Sequence, residues 1–311
     1  MTQGKQPIIA VLGGINMDLV TVAPRFPEAG ETVVGSRFLT YPGGKGANQA
    51  VAAARMGGKV SMVGRVGTDV FGPQLVEALS QSGVDCSRVG YSGTNSGIAV
   101  INIDQSAQNR IIQVLGANDT CGETEAYQIS ELLPQMSTLM LQLEVSVDLS
   151  LQAAKAASRQ GKTVILDPSP VRPLPPEFYP RCSVITPNET DAQALVGFPV
   201  VDRASAAQAA GALLAQGVKS VIVKLGEQGA YYATLAGGDY VRPFRVEAVD
   251  SVGAGDAFNG ALAVALDEEK TLEEATLIAS AAGALAVTRY GAQDSMPTRE
   301  EVERLLRTRR F

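Results

Sequence analysis

The chain has 311 residues and contains neither histidine nor tryptophan, which excludes Ser-His-Asp hydrolysis, Cys-His proteolysis, phosphohistidine chemistry and histidine-ligated zinc. Its net charge of -6 argues against nucleic acid as the main partner, because no basic stripe is available to neutralise phosphates. No apolar run reaches the roughly 18–20 residues that a membrane span requires, and the scattered Cys86, Cys121 and Cys182 fit reduced thiols, which predicts a cytoplasmic protein without a membrane partner.

Short apolar runs typical of strands alternate with helical segments along most of the chain. The helical segments are amphipathic or rich in alanine, as in residues 152–160 and 204–214. This alternation predicts an α/β fold with a central, mostly parallel sheet and helices on both faces. Ligands of such folds bind beyond the carboxyl ends of the strands. The strands predicted for this sheet are residues 8–12, 60–63, 139–143, 164–166, 183–186 and 220–225.

Two regions break the alternation because each contains a pair of predicted strands with no helix between them. The pairs are residues 15–22 with 32–39, and residues 96–103 with 110–114, the latter joined by a polar turn at 104–109. We expect a small sheet, from about residues 15–40 and 96–115, inserted in a single domain of residues 1–311 as a lid. Apolar residues on both of its faces favour a partner surface over solvent, namely Val33, Val34, Phe38 and Leu39.

Residues 41–50 (Tyr-Pro-Gly-Gly-Lys-Gly-Ala-Asn-Gln-Ala) are a glycine-rich loop leading into an alanine-rich helix at 47–56. The loop is not a Walker A motif, since Leu39 and Thr40 replace its first glycine and Gly46 stands where a hydroxyl residue must follow the lysine. A tight Gly-Gly turn offers backbone amides, and Lys45 and Asn48 add an ammonium and a carboxamide. This combination suits a hydroxyl-rich ligand.

Residues 249–260 (Val-Asp-Ser-Val-Gly-Ala-Gly-Asp-Ala-Phe-Asn-Gly) are a second such loop, followed by a buried helix at 257–266. Backbone N–H groups of Gly253, Ala254 and Gly255 can approach an anion closely at the positive end of that helix. Asp256 could then take a proton from an attacking hydroxyl while the loop neutralises a phosphoryl group. Alone, the segment is equally compatible with a glycine-rich turn capped by an aspartate. It is not a dinucleotide fingerprint, because Phe258 replaces the third glycine, and this argues against an oxidoreductase.

Together the two loops closely resemble the signature motifs of the ribokinase-like family of carbohydrate kinases. The resemblance extends from about Ile9 to about Leu306, and further segments fall in the order and at the distances typical of the family. These segments are residues 14–18, 26–33, 141–144, 185–190, 223–226 and 287–293.

The resemblance implies a role for each matching position. Asp256 would be the general base, and Gly253, Ala254 and Gly255 would form the anion hole. The sugar would be bound by Asn16, Met17, Asp18, Gly44, Lys45, Gly46, Ala47, Asn48 and Glu144, together with Asp256. The nucleotide would lie along Asn188, Lys224, Leu225, Gly226, Glu227, Gln228, Gly229 and Ser280, reaching Gly255 and Asp256. A monovalent cation, K⁺, would be held mostly through carbonyls of Asp250, Val252, Ala286, Arg289, Gly291 and Ser295.

Two positions depart from the family pattern. Asp191 stands where members usually carry glutamate, so its water-mediated role at Mg²⁺ would use a side chain that is one methylene shorter. Lys224 replaces a hydroxyl residue of some members, and a lysine could pair with nucleotide phosphates as a point charge.

The activity implied by the resemblance is ATP-dependent phosphorylation of D-ribose at O5, with Mg²⁺ and K⁺, by a homodimer that pairs through the lid. Two alternatives remain. One is a kinase of the same fold for deoxyribose, another sugar or a nucleoside. The other is a sugar-binding regulator without turnover, against which the complete loop with Asp256 argues, since binding alone needs no base.

Overall fold

The computed structural model describes residues 8–106 and 108–308, so residues 1–7, 107 and 309–311 lie outside it. Within these ranges the chain forms thirteen strands: β1 (Ile8–Leu12), β2 (Asn16–Val22), β3 (Arg37–Gly43), β4 (Val60–Gly67), β5 (Asp85–Ser92), β6 (Gly97–Ile103), β7 (Asn109–Val114), β8 (Met136–Leu141), β9 (Thr163–Leu166), β10 (Val184–Ile185), β11 (Ser220–Lys224), β12 (Ala230–Thr234) and β13 (Gly237–Val241).

The same part of the chain contains nine α-helices: α1 (Lys45–Arg55), α2 (Phe71–Gln81), α3 (Glu123–Leu132), α4 (Val147–Arg159), α5 (Glu189–Val196), α6 (Arg203–Ala215), α7 (Ala254–Asp267), α8 (Leu272–Ala286) and α9 (Arg299–Thr308). None of the described helices is long and apolar enough to cross a membrane.

The large sheet has nine strands in the order β13-β12-β11-β10-β9-β8-β1-β4-β5. Every pair from β11 to β5 is parallel, and only β12 runs against its neighbours. Every predicted strand of the central sheet is present, with ends displaced by a few residues. The edge strands β5 and β13 were not predicted, because their sequences, Asp-Cys-Ser-Arg-Val-Gly-Tyr-Ser and Gly-Gly-Asp-Tyr-Val, are too polar or too rich in glycine to be read as buried strands.

Helices cover both faces of this sheet, as predicted, because alternate residues of each strand face opposite cores. In β1, Ala10 and Leu12 belong to a core formed with α3, α4, α5 and α6. Ile9 and Val11 belong to the opposite core, formed with α1, α2, α7, α8 and α9. The α/β architecture is therefore confirmed.

A second, four-stranded sheet has the order β3-β2-β6-β7. The prediction placed β3 at residues 32–39, and this was wrong. In the structure β3 starts at Arg37, because β2 pairs with it continuously from Asn16 opposite Gly43 to Val22 opposite Arg37. Residues 32–34 lie beyond the end of that ladder in an irregular segment. Pro42 is compatible with β3 because this strand lies at the sheet edge.

Candidate active site

The N-terminus of α7 places Asp256 at the carboxyl edge of the large sheet. Gly253 is the N-cap with φ of 77°, and a β-carbon there would lie 3.2 Å from Ala292 Cα. Glycine is therefore required both by the left-handed backbone and by the close approach of the segment that contains Ala292. Asp256 lies in the first helical turn and is only 5% exposed. The backbone N of Ala254 donates to the carbonyl of Ser251 at 3.3 Å, and the other N–H groups at the start of this turn make the site attractive to an anion.

Both oxygens of the Asp256 carboxylate accept hydrogen bonds. Asn48 Nδ2 donates to Oδ2 at 2.9 Å, and Gln49 Nε2 donates to Oδ1 at 3.0 Å. Burial raises the pKa of Asp256 and the charge of Asp167 raises it further, whereas Lys45 and the two amides lower it. The net pKa lies above the usual value, which would suit a group that takes up a proton.

The first turn of α1 brings three predicted residues to the same place. Gly44 has φ of 90°, and a β-carbon there would lie 2.7 Å from the backbone N of Asn16. Burial alone would lower the pKa of Lys45, but the carboxylates around it, Asp256 and Asp167 first, hold that pKa above its ordinary value. Asn48 Oδ1 is buried and accepts no hydrogen bond, so it is an acceptor that a ligand hydroxyl would satisfy.

Glu144 connects the large sheet with the small one. Its Oε2 accepts from the backbone N of Lys45 at 2.7 Å, and its Oε1 accepts from Asn16 Nδ2 at 3.2 Å and from Gln113 Nε2 at 2.6 Å. Asp18 lies on the same face of β2 as Asn16, and a β-carbon on Gly43 would lie 2.6 Å from its Cγ. Glycine at position 43 thus leaves room for the Asp18 carboxylate.

Three other predicted sugar residues are placed deeper in the structure. Met17 points to the opposite face of β2 from Asp18, and its side chain is buried in the core with α1 and α7. Gly46 packs on Gly13, since a β-carbon would lie 2.8 Å from Gly13 Cα. The backbone N of Ala47 donates to the carbonyl of Gly14. These three residues support the backbone of the site and present no side chain to it.

A cleft of about 880 Å³ leads away from Asp256, and its volume is within the usual range for small-molecule sites. Its lining includes the predicted Asn188, Lys224, Gly226, Glu227, Gly229, Gly255 and Ser280. Ser280 Oγ is buried without a hydrogen-bond partner, so a ligand atom could satisfy it. Leu225 and Gln228 do not line the cleft. The Leu225 side chain lies in the core, and Gln228 donates to the carbonyl of Val201.

Charged side chains converge where the cleft meets Asp256. Lys224 Nζ is 3.2 Å from Asp167 Oδ1, and both side chains are largely buried. Asn188 caps α5 by accepting from the backbone N of Asp191 at 2.7 Å, and the Asp191 carboxylate returns a capping-box contact to Asn188 N. Burial raises the pKa of Asp191, and the charge of Asp167 raises it further.

Four residues in this region had no predicted role. Asp167 follows a predicted strand, and Gln49 lies within the predicted loop, so position in the sequence could have identified both. Gln113 and Asn118 carried no such signal. Asn118 Nδ2 donates to Asn16 Oδ1 at 2.7 Å, across a separation of 102 residues that only the fold brings together.

The sequence matches the model of the pfkB family carbohydrate kinases over residues 7–299. The chain belongs to this family. A ribokinase of Bacillus subtilis is 40% identical, with 96% of this chain and 99% of that protein aligned. A deoxyribokinase of Salmonella typhi is 35% identical over 96% of this chain and 98% of that protein. A structure of Arabidopsis thaliana ribokinase complexed with ribose and ATP is 34% identical, covers 96% of this chain and 98% of that chain, and has a TM-score of 0.89.

Some of the residues that were predicted to bind K⁺ lie close together in the structure. Asp250 Oδ1 accepts from the backbone N of Val252 at 3.0 Å, and Oδ2 accepts from that of Gly291 at 3.1 Å. Ser295 is buried, and its Oγ donates to the carbonyl of Ala292. The carbonyl of Ala286 accepts from Arg289 N, while the Arg289 guanidinium pairs with Glu301. The Asp250 carboxylate and the backbone carbonyls of this region are the kind of oxygen donors that a large monovalent cation would need.

Magnesium fits the same cleft on the basis of its charges. Asp167 and Asp191 are both buried beside it, and the cleft is lined by five carboxylates and three cationic side chains, so negative charge is in excess there. Mg²⁺ keeps most of its water and needs few direct protein ligands. The two carboxylates would therefore attract the ion through its waters, with nucleotide phosphates as its direct ligands.

Proposed function

We propose that this kinase transfers the γ-phosphoryl group of ATP to O5 of D-ribose, giving ribose 5-phosphate and ADP. The observation that carries the proposal is the position of Asp256. It lies at the N-terminus of α7, between the polar cluster of Asn16 and Glu144 and the 880 Å³ cleft. The names of the Bacillus subtilis relative and of the Arabidopsis complex with ribose and ATP support the same substrates.

In this proposal Asp256 takes the proton of the attacking hydroxyl as the O5–phosphorus bond forms and the bond to the leaving ADP oxygen breaks. The backbone N–H groups of Gly253, Ala254 and Gly255 would face the charge that develops on the transferred group. Lys45 carries a positive charge beside Asp256, and Lys224 Nζ is 3.4 Å from the place of a β-carbon on Gly255. Both ammonium groups would neutralise phosphate oxygens.

Sugar hydroxyls would be held by the polar side chains at the junction of the two sheets. Glu144 and Asp18 accept hydrogen bonds, while Asn16 and Asn48 can both donate and accept. The nucleotide would follow the cleft past Asn188, Gly226 and Gly229 to Ser280. Mg²⁺ would neutralise the phosphates beside Asp167 and Asp191. K⁺ at Asp250, Val252, Ala286, Arg289, Gly291 and Ser295 would fix the loop that precedes the anion hole.

The small sheet is proposed to act as a lid on a single catalytic domain of residues 1–311. It carries Asn16, Asp18 and Gln113, so its movement would complete the sugar site and exclude water, which competes for the phosphoryl group. Phe38 and Ile112 on its two edge strands are 63% and 65% exposed. Apolar side chains of this size favour a homodimer through the lid. The unpaired Cys86, Cys121 and Cys182 suit the reducing cytoplasm.

A second candidate is phosphorylation of deoxyribose, which the name of the Salmonella typhi relative favours. The two substrates differ by one hydroxyl. An oxygen-rich pocket that hydrogen-bonds this hydroxyl discriminates against a sugar that lacks it, because its polar groups are then left unpaired. The buried carboxylates of Asp18 and Glu144 therefore favour ribose.

The deciding experiment is an ADP-release assay with ATP and Mg²⁺ across ribose, deoxyribose, fructose and several nucleosides. We expect the highest kcat/KM with ribose, and a loss of activity when Na⁺ replaces K⁺. A preference for another acceptor would keep Asp256 as the base but reassign Asp18 and Glu144. Binding of ribose without turnover on any acceptor would instead indicate a sugar-binding regulator.

A further inference from the structure

Gln49 lies at the centre of a buried hydrogen-bond network and has no part in the proposed sugar, nucleotide or cation sites. It follows Asn48 on α1, and only 1% of its surface is exposed. Its Nε2 donates to Asp256 Oδ1 at 3.0 Å and to Asp167 Oδ2 at 3.0 Å. The two N–H groups of one amide thus bridge two buried carboxylates.

The orientation of the Gln49 amide is also fixed at its oxygen. Gln142, which follows β8 and is fully buried, donates from Nε2 to Gln49 Oε1 at 2.6 Å. If the Gln49 amide were reversed, its oxygen would face two carboxylates and its NH₂ group would face the NH₂ group of Gln142. Gly13 makes room for Gln142, because a β-carbon there would lie 3.1 Å from Gln142 Cδ.

The charged groups around Asp256 shift its pKa, but they do not fix the orientation of its carboxylate. Lys45 on α1, Asp167 after β9, Asp18 on β2 and Glu144 after β8 all act on it through charge. Hydrogen bonds are directional, and Asp256 receives them from Asn48 on one oxygen and from Gln49 on the other. Together these two amides prevent the carboxylate from rotating about its Cβ–Cγ bond.

We propose that Gln49 is a positioning residue for the phosphoryl transfer. Its amide holds the Asp256 carboxylate in the orientation that receives the proton of the sugar hydroxyl, and Gln142 fixes the direction of that amide. The inference rests on the proposed function, because it assumes that Asp256 is the base. Gln49 forms no hydrogen bond with Glu144 or Asn16 on the sugar side, so it acts on the reaction through the two carboxylates that it joins, first of all Asp256.

The same amide also joins the base to the phosphate end of the cleft. Asp167 accepts from Gln49 on Oδ2 and from Lys224 on Oδ1 at 3.2 Å. Lys224 is therefore held at the end of a chain that begins at Gln142 and passes through Gln49 and Asp167. The network holds the base and the lysine in one arrangement, so neither must be oriented during the reaction.

The test is a set of double-mutant cycles with Gln49→Met, Gln142→Met and Asp256→Asn. Methionine keeps the length of glutamine and removes the amide. We expect Gln49→Met to lower kcat about tenfold to hundredfold, the usual cost of a misplaced reacting group, with both KM values within about twofold. Gln142→Met should lower kcat about threefold to tenfold, since Gln49 then keeps its donors but its Oε1 loses the hydrogen bond that holds the amide in place.

Non-additivity separates positioning from general structural support. Gln142→Met should add nothing to Gln49→Met, and each should lower the rate of Asp256→Asn by a smaller factor than that of the wild type, because only the link through Asp167 to Lys224 is then left to lose. Losses that multiply in these cycles, an unchanged kcat in both single variants, or a raised KM with unchanged kcat would each overturn the proposal. Thermal unfolding and calorimetric sugar binding establish that each variant is folded.

The two levels of inference fail in different ways. If Asp256→Asn keeps near wild-type turnover, the proposed base is wrong and the role of Gln49 falls with it. If Asp256→Asn is inactive while Gln49→Met is fully active, the proposed function stands and only this inference is wrong. Should Gln49→Met not fold, the cycle of Gln142→Met with Asp256→Asn decides, and multiplying losses there overturn the proposal.

Discussion

Asp256 is a buried acid whose neighbours both oppose and support its charge. Burial raises its pKa, whereas Lys45 and the amides of Asn48 and Gln49 lower it. Both amides donate to the carboxylate, and an NH₂ group cannot accept the proton of a carboxylic acid. The two hydrogen bonds stabilise the ionised carboxylate, as the proposed general base requires, while burial keeps its net pKa above the usual value.

Replacing Asp256 with asparagine removes the proton acceptor and keeps the volume. We expect kcat to fall at least about a hundredfold, within the range found when a general base is lost, while sugar affinity changes little. Steady-state kinetics give the first quantity, and calorimetric titration with ribose gives the second. Turnover close to that of the wild type would show that another group accepts the proton.

Asp18 is an acid in an environment that disfavours its charge. Burial, followed by the charges of Glu144 and Asp256, raises its pKa from 3.8 to about 7. Among the described residues none donates a hydrogen bond to it. The ionised form therefore has free acceptor positions that sugar hydroxyls could occupy, and we expect sugar affinity to strengthen as the pH rises through about 7.

This raised pKa also predicts a pH-dependent cost in stability. The folded state keeps the Asp18 proton up to about pH 7 and the unfolded state loses it near 3.8, so stability falls as the pH rises between these values. Asp18→Asn should thus stabilise the free protein by up to on the order of 4 kcal/mol at pH 8, at about 1.4 kcal/mol per pKa unit. The gain should be much smaller at pH 5.

Thermal unfolding of both proteins at the two pH values measures this difference. The variant should also lose the pH dependence of ribose affinity near neutrality. An equal gain at pH 5 and pH 8 would mean that Asp18 is ionised in the folded protein throughout this range.

Among the elements, α1 and α7 decide the geometry of the site because each carries part of it near its first turn. The two helices cross where Gly260 of α7 meets α1. A β-carbon on Gly260 would lie 2.6 Å from the backbone N of Ala53 and would also collide with the Ala52 side chain. This close approach places Asn48 and Gln49 within hydrogen-bond distance of Asp256.

Two helical glycines offer a matched comparison of this packing. Gly260→Ala should destabilise the protein by about 1–3 kcal/mol, as overpacking usually does, and should lower kcat by displacing Asp256. Gly211 is exposed on α6, and a β-carbon there would meet no atom within 4 Å. Gly211→Ala should therefore stabilise the protein by about 0.5–1 kcal/mol without affecting kcat. Denaturant unfolding and steady-state kinetics measure both effects, and equal behaviour of the two variants would contradict the packing argument.

The sequence was sufficient to predict an element where the local residue pattern determines its structure. It was insufficient where pairing with a distant segment of the chain determines it. The strand β1 is apolar throughout and the helix α7 is mostly apolar after Asp256, so composition alone identifies them. The position of β3 depends on its ladder with β2, and residues 32–34 are β-branched, as is typical of strands, but have no strand to pair with. Likewise, Asp256 stands in a recognisable loop, whereas the contacts of Gln113 and Asn118 arise only when distant segments meet.

The polar cluster of Asn16 and Glu144 lies between the two sheets of the molecule, which differ in how much hydrophobic core each one has. The large sheet lies between two helical layers, while the small sheet has a core of only Val20, Ala99 and Ile101 among the described residues, with Leu39, Tyr41 and Ile103 packed against it. Such a limited core leaves the edge strands exposed. The small sheet is therefore the part of the kinase that would gain most from a second copy.

The exposed edge strand β7 makes the proposed homodimer testable. Ile111 and Ile112 lie on opposite faces of β7 and are 55% and 65% exposed, so replacing both with aspartate puts charge on each face. We expect the pair Ile111→Asp and Ile112→Asp to convert a dimer into a monomer, because burying two unpaired carboxylates at an interface is costly. Light scattering after size exclusion measures the mass.

Leu235 is 84% exposed in the turn between β12 and β13, away from the small sheet, and Leu235→Asp should remain dimeric. A wild-type protein that is monomeric at micromolar concentration, or a doubly charged variant that stays dimeric, would exclude pairing through this strand.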